Sequence, residues 1–512
     1  MKAYKFVAFT GVLVPAIAAA QGAQQQEKRL NIIHIMSDDH SYQTISAYDH
    51  PISRIARTPN IDRIADEGLR FDRAYVENSL STPSRACLMT GLYSHQNGQR
   101  NLGPGIDSTL TFLPEILRGA GYETAMIGKW HMQCEPKGFD FFYVLNGQGA
   151  YYNTAFKSHN SHGQYIQETG YVTNQITQHT LEFLEQRDTT KPFCLFVHHK
   201  APHRNWMPDL DHLGLYEDEV FPLPETLYDD YSTRGSAIRL QKIDIRDHMD
   251  LDRDLKVRDT AKVKNYFKMN RSQLRKWDEF YAPRNEKFRS MGLEGDELYE
   301  WKYQNYIKEY VRCIKSVDES VGEILDYLEA NGLMDNTVIV YTSDQGFYMG
   351  EHGLYDKRFM YEEAFRTPLI LRYPEGVRRG ISTDVMVQNL DFAPTYLDIA
   401  GIEKPDYMEG CSFLPVVLKN GKEPSGWRDY LYYHYYEYTP LLRISKMDGV
   451  FDKRFKLIHF YGEDGTYDEF YDLKKDPTET HNAIDSPRYS RDIKRLKARL
   501  SRFREDLKVD EF

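Results

Sequence analysis

The sequence predicts an α/β protein: a large, mostly parallel sheet covered on both faces by helices, then a smaller antiparallel sheet carrying one helix. Three observations predict it. Over the first two-thirds of the chain, short apolar runs alternate with segments of helical periodicity, and the runs end in polar residues. From about residue 425 this rhythm gives way to tyrosine-rich runs of strand length. The 512 residues also exceed one ordinary domain, so a large unit over 28–424 and a small one over 425–512 are expected.

In chain order, residues 1–22 begin with Lys2 and Lys5, run apolar from Phe6 to Ala20, and offer Ala18-Ala19-Ala20 as a small-residue cleavage site. That pattern predicts a signal peptide over 1–20 and a periplasmic or secreted protein. The run is too short to span a bilayer and no other stretch reaches ~18 apolar residues, so no membrane insertion is expected. Residues 30–36 read as a strand, and 59–68 and 113–119 as helices with glycine at their ends. Further strands are expected at 123–127, 193–198, 337–342 and 368–372, with helices at 172–187 and about 302–331. Residues 205–300, rich in Asp, Lys, Arg and Tyr, break the rhythm and read as an insertion of short helices forming a rim. The small unit reads as strands at 429–438, 440–447 and 453–460, then a helix at 487–507 with a solvated charged face.

Composition narrows the function. With 65 Lys+Arg against 76 Asp+Glu, the net charge of −11 argues against nucleic acid as a partner. The 38 Tyr and 26 Phe suit either flat, weakly polar ligands or thick packing layers. Five cysteines, widely spaced and without a CxxC pair, favour neither a disulfide scaffold nor a thiolate zinc site.

The most specific segment is Ser81-Thr82-Pro83-Ser84-Arg85-Ala86-Cys87-Leu88-Met89-Thr90-Gly91. It reads as a helix start, where the dipole stabilises an anion. Asp38 and Asp39 leave the first strand together, and Asp344-Gln345-Gly346 follows a later one. Paired carboxylates without thiols suit a hard cation such as calcium, although an Asp-Asp pair also serves as a turn. Lys129 and His131 (Gly128-Lys129-Trp130-His131), His203 (Lys200-Ala201-Pro202-His203) and Lys357, after Gly350-Glu351-His352-Gly353, stand at or just beyond strand ends.

In type and order these segments resemble the formylglycine-dependent sulfatases over most of residues 30–460. The resemblance implies an alkaline-phosphatase-like sandwich and a sulfuric ester hydrolase. Ser81 would be oxidised to formylglycine by a serine-oxidising maturase, and the hydrated aldehyde would attack sulfur. A second hydroxyl on the same carbon then expels sulfate, so no water need attack at sulfur. Asp38, Asp39, Asp344 and Gln345, with Ser81, would surround Ca2+. Arg85, Lys129 and Lys357 would hold the anion, His203 would protonate the leaving sugar oxygen, and His131 would take the hydroxyl proton as sulfate leaves. Other histidines, including His198, His199 and His352, read as structural.

The segments 200–206 and 356–363 resemble the branch acting on 6-sulfated N-acetylglucosamine. Asp356 and Arg358, flanking Lys357, would bind hydroxyls of the sulfated sugar substrate, or else form a structural ion pair. One departure stands out: Phe451 occupies a position where this family often carries Arg. Two alternatives stay open, a phosphate mono- or diesterase of the same architecture and an inactive sulfoglycan-binding protein built around an unmodified Ser81.

Overall fold

The structure, a computed structural model, describes residues 29–257 and 268–511. The expected signal peptide therefore lies outside the described residues. Chain order runs β1 (Asn31–Ser37), α1 (Pro51–Ile55), α2 (Pro59–Asp66), β2 (Leu69–Phe71), β3 (Ala74–Tyr75), α3 (Ser81–Thr90), α4 (Ser94–Asn97), α5 (Leu113–Gly119) and β4 (Glu123–Gly128). Next come β5 (Phe141–Leu145), β6 (Ala155–Ser158), β7 (Ile166–Gln167), α6 (Val172–Gln186), β8 (Phe193–His198), α7 (Ser236–Leu240), α8 (Arg271–Met291) and α9 (Gly295–Ala330). The large unit continues with β9 (Thr337–Ser343), α10 (Glu362–Phe365), β10 (Leu369–Arg372), β11 (Ile381–Thr383), β12 (Val387–Gln388), α11 (Phe392–Ile399) and α12 (Leu414–Leu418). Four strands, β13 (Leu431–Tyr435), β14 (Lys446–Phe451), β15 (Phe455–Tyr461) and β16 (Tyr467–Asp472), precede α13 (Ser490–Asp506).

Ten strands form one sheet in the order β11-β2-β10-β9-β1-β8-β4-β5-β6-β7. Its centre is parallel, β1 pairing with both β8 and β9, whereas β10 runs antiparallel to β9 and to β2. The central strands are apolar on both faces because helices cover both. Ile33, Ile35, Leu195, Val197 and Ile339 face α2, α6 and α9. Their neighbours Ile32, Met36, Phe196, Val338 and Val340 face α3, α5 and α11. Each such side chain contributes roughly 1.5–3 kcal/mol by burial. The carboxyl ends of β1, β4, β8 and β9 thus leave a rigid platform, the place where such sheets present ligands.

The small sheet is antiparallel in the order β13-β14-β15-β16. One face packs on α13 through Tyr432, Val450, Leu457, Phe470, Leu496 and Leu500. The other face carries Tyr433, Tyr435, Phe451, Phe460 and Tyr471 against Phe359, Met360, Tyr361 and Phe365. Much of the aromatic excess is therefore packing between the two sheets.

Three expectations differ from the structure. The strand expected at 440–447 lies instead at Lys446–Phe451. Pro440 lacks an N–H, and a turn closed by Arg443 N–H donating to the Thr439 carbonyl (2.8 Å) occupies its place. Strand β16 was not expected, since its charged residues mask the alternation that buries Phe470 and Tyr471. Residues 205–300 do not hold only short helices: α8 runs for 21 residues, and α9 starts at Gly295 rather than near 302. Trp277, Tyr281 and Asn285 form a narrow buried stripe at i, i+4, i+8, hidden in the sequence by surrounding charge. All five cysteines are free. Among the described residues no helix is long and apolar enough to cross a membrane.

Candidate active site

The platform gathers its carboxylates first. Asp38 and Asp39 leave β1, with Asp39 in a left-handed conformation (φ 66°) whose carbonyl accepts from the Tyr310 hydroxyl at 2.6 Å. The Asp39 amide donates to Asp344 Oδ1 at 3.0 Å, which ties the end of β1 to the turn after β9. Gly346 completes that turn because a Cβ there would sit 2.1 Å from the Glu363 carbonyl oxygen. Asp38, Asp39, Asp344 and Gln345 are fully buried.

Each carboxylate has its own cation. Lys129 Nζ donates to Asp38. Lys357 Nζ lies 2.5 and 2.7 Å from the two Asp39 oxygens. Arg85 Nη2 lies 2.9 Å from Asp344 and 3.9 Å from Asp38. Burial works against a charged Asp38, but Lys129, then His203, Arg85 and Lys357, hold its carboxyl well below the usual range. Asp39 behaves oppositely. Burial pushes it up to about 7 against Lys357, with Asp38, Asp344 and Asp356 adding to the rise.

Ser81 opens α3, and its hydroxyl donates to Asp38 Oδ1 at 3.2 Å. The helix stops at Gly91, which takes φ +67° and donates its N–H to the Cys87 carbonyl. All ten residues of α3 are buried, Ser81 at 2 % exposure. Arg85, one turn along, anchors its other end on the Lys129 carbonyl (2.7 Å) and on His198 Nδ1 (3.1 Å). His198 thus has a structural role, as expected.

The two candidate acid–base histidines stand apart from these pairs. His203 Nδ1 hydrogen-bonds the Arg204 carbonyl at 2.6 Å, so Nδ1 carries the proton and Nε2 faces the carboxylates, 3.8 Å from Asp39 Oδ2. His131 Nδ1 meets the Thr82 hydroxyl at 3.1 Å. Burial, reinforced by Lys129, holds His131 down to about 2, so it is neutral and able to accept a proton. Asp356 and Arg358 both take positive φ (79° and 101°) on either side of Lys357. Arg358 Nη1 is held by Tyr435 (3.0 Å) and Glu437 (2.9 Å), while its Nε is 3.9 Å from Asp356.

The donors suit a hard divalent ion. Gln345 gives its amide N–H to Asp39, which leaves its buried Oε1 without a hydrogen-bond partner. Three buried carboxylates and one orphaned amide oxygen form an oxygen-only set. Among the described residues, ligand atoms of Asp38, Asp39 and His203 lie within 4.8 Å of one another, and Asp344 is tied to them through the Asp39 amide. A single histidine beside oxygen donors is a poor match for a two-zinc site.

Three residues escaped the sequence reading. Lys200 is buried with its ammonium 5.1 Å from the centre of the Tyr151 ring, and burial, then Lys129, brings it down to about 8. Thr82 and Glu437 position His131 and Arg358. Lys200 directly precedes the Ala201-Pro202-His203 segment, yet only its burial distinguishes it from a surface lysine.

Glu77 supports α3 from below. It accepts from Cys87 Sγ at 2.8 Å and from the Ser94 hydroxyl, and its second oxygen is buried without a partner. Burial lifts its carboxyl from 4.5 to about 7, despite the opposing hydrogen bonds from Cys87 and Ser94. A raised carboxyl favours folding while protonated, so this stabilisation is full in acid below about 4.5 and is lost as pH rises through about 7. The loss is on the order of 3 kcal/mol. Glu77→Gln is expected to flatten the fall in thermal midpoint between pH 5 and pH 8. Parallel profiles for the two proteins would discard the assignment.

The Sulfatase family profile matches residues 30–402, and the C-terminal profile of N-sulphoglucosamine sulphohydrolase matches 350–506. The chain is 45% identical over 494 residues to an N-acetylglucosamine-6-O-sulfatase of Bacteroides thetaiotaomicron, covering 94% of this chain and 87% of the relative. It is 25% identical over 433 residues to the human N-acetylglucosamine-6-sulfatase, covering 80% and 67%. A solved structure in complex with its substrate D-glucosamine-2-N,6-O-disulfate superposes with TM-score 0.91 at 44% identity, over 94% of this chain and 99% of that one. The phosphonate monoester hydrolase of Agrobacterium radiobacter shares the fold alone, at TM-score 0.68 and 19% identity.

Proposed function

The chain belongs to the sulfatase family and hydrolyses sulfate esters of glycans, and from that premise we propose that it removes the 6-O-sulfate of terminal N-acetylglucosamine or glucosamine. The observation that carries this reading is the superposition, at TM-score 0.91 and 44% identity, on a structure in complex with its substrate D-glucosamine-2-N,6-O-disulfate. Asp356 and Arg358 support it, because both are buried beside Lys357 and Glu437 fixes the guanidinium. A carboxylate and a guanidinium held so rigidly select adjacent sugar hydroxyls.

Asp38, Asp39, Asp344 and Gln345 would hold Ca2+, which when bound supplies Lewis-acid polarisation of oxygens in the pocket. Oxidised to formylglycine by a serine-oxidising maturase and hydrated, Ser81 supplies two hydroxyls on one carbon, one to attack sulfur and one to expel sulfate. The remaining work falls to side chains already in place. Arg85 and Lys129 stabilise negative charge at the start of α3, and Lys357 draws the sulfate oxygens from the opposite side. His203 directs Nε2 to the leaving oxygen and would protonate it once Nε2 has taken up a proton of its own, because Nδ1 keeps its proton on the Arg204 carbonyl and burial holds the ring well below its ordinary range. His131, neutral and oriented by Thr82, accepts the hydroxyl proton as sulfate departs.

The leader-like residues 1–20 support export to the periplasm or beyond. The change at about residue 425 supports a catalytic unit over 28–424, with 205–300 contributing to its rim, and a small subdomain over 425–512.

The test is a panel of esters under calcium with maturase-coexpressed protein. N-acetylglucosamine-6-sulfate is expected to be cleaved about tenfold or more faster than galactose-6-sulfate, as befits pocket hydrogen bonds to hydroxyls. An aryl phosphate should be poorer than the matching aryl sulfate. Preference for galactose-6-sulfate would reject the sugar assignment, and preference for phosphate would reject the sulfur chemistry.

A further inference from the structure

Away from the catalytic carboxylates, a cavity of about 690 Å³ opens between α10, the β2–β3 and β14–β15 turns and the segment just after β16. Its volume lies in the range of small-ligand sites. Four of the charges in its wall are already matched. Asp72 pairs with Arg70 (2.8 Å), Glu362 with Lys456 (2.9 Å), Lys453 with Glu423 (2.6 Å) and Arg454 with Asp472 (2.8 Å). Glu363 is buried, and its carboxyl is pushed well above the usual range by that burial and by Glu351 and Glu479.

Three cations remain. The Arg366 guanidinium lies 4.0 Å from the centre of the Tyr42 ring, and its Nε is buried without a hydrogen-bond partner. No carboxylate among the described residues comes within ion-pairing distance of Arg366. Arg73 spends one N–H on the Lys453 carbonyl (2.8 Å) and pairs with no carboxylate among the described residues, nor does Lys474. Against these three stand two acids in the wall without a cationic partner, Asp384 and the buried Glu363, the latter pushed toward its neutral form by burial. Arg366 is half-buried, and the desolvation of its unpartnered Nε carries a cost that an oxyanion would offset.

We propose that this cavity is a second binding site, separate from the catalytic one, for an oxyanion: a sulfate or carboxylate held by Arg366, Arg73 and Lys474. The anion comes either as free sulfate or as the acidic group of a sugar. The free-sulfate case stands independently of the substrate reading above, whereas the sugar-borne case rests on it. The cavity wall is also the back of the ligand turn, since the Gly346 N–H donates to the Ala364 carbonyl of α10 at 3.1 Å. An occupant therefore bears on the scaffold of Asp344 and Gln345 without entering their pocket.

Isothermal titration of the full chain with sodium sulfate, and separately with a heparin-derived hexasaccharide, tests this. Two binding events are expected for at least one probe. The weaker-wall variant Arg73→Ala/Lys474→Ala should lower one of them about tenfold while aryl-sulfate hydrolysis stays within about twofold. Lys129→Ala should remove the other. A second event with sulfate alone makes the free anion sufficient, and one seen only with the hexasaccharide makes the ligand sugar-borne. Arg366→Gln is a further variant, and because Arg73 and Lys474 reach solvent, the double substitution decides even where Arg366→Gln fails to fold. A single event with both probes, lost in Lys129→Ala and unchanged in Arg73→Ala/Lys474→Ala, overturns the proposal.

Discussion

Ser81→Ala is expected to reduce sulfate release by about 10⁴-fold or more while leaving the fold in place. The size of the effect follows from position. The Ser81 hydroxyl opens a fully buried helix and makes one hydrogen bond, to Asp38 at 3.2 Å, with Arg85 and Lys129 grouped around the same carboxylate. Among the described residues no other hydroxyl hydrogen-bonds Asp38. Losing one hydroxyl costs about 1 kcal/mol of stability, so the thermal midpoint should barely move. Unchanged binding of 6-sulfated glucosamine, read by titration, separates a lost nucleophile from a lost pocket. Retention of more than roughly one-hundredth of the wild-type rate would be incompatible with a nucleophile at Ser81.

Arg85→Met is expected to combine a loss of activity with the largest loss of stability of any single change in the pocket. Arg85 is 1 % exposed, spans Asp344 and the Lys129 carbonyl, and so ties α3 to the ends of β9 and β4. Removing it leaves a buried carboxylate without its partner, which costs about 3–5 kcal/mol. Denaturant unfolding in chelator measures this directly, since calcium would partly neutralise the same carboxylate. Arg85→Met/Asp344→Asn should recover much of the stability and none of the activity. A cost below about 1 kcal/mol for the single variant would mean that Asp344 is neutral in the folded chain.

The platform was legible because each of its strands is an apolar run that ends abruptly in polar residues. Met36-Ser37-Asp38-Asp39, Gly128-Lys129 and Ser343-Asp344-Gln345 announce both a strand and what it delivers. The candidate residues Ser81, Arg85, Lys129, His131, His203, Asp344, Gln345 and Lys357 all come to the carboxyl end of one sheet, as their order in the chain suggested. Less legible was anything set by contact between distant segments. Glu437 touches Arg358 across 79 residues, and nothing local marks it. Strand β16 and helix α8 were hidden because their exposed faces carry so much charge that periodicity is lost. Phe451, which departs from the family habit, proves to pack edge-on against the rings of both Tyr75 and Phe365. Its side chain there serves the joint between the two sheets.

The complete burial of α3 bears on the timing of the protein's own biogenesis. With every residue from Ser81 to Thr90 enclosed, no second enzyme can reach the Ser81 side chain once the sheet has closed over it. Any oxidation of that serine must happen on the nascent or still-unfolded polypeptide, in competition with collapse. A molecule that folds first keeps its plain serine for life. If activity depends on that oxidation, as proposed above, the active fraction of a preparation is set during synthesis and should not rise on later exposure of folded protein to an oxidising enzyme.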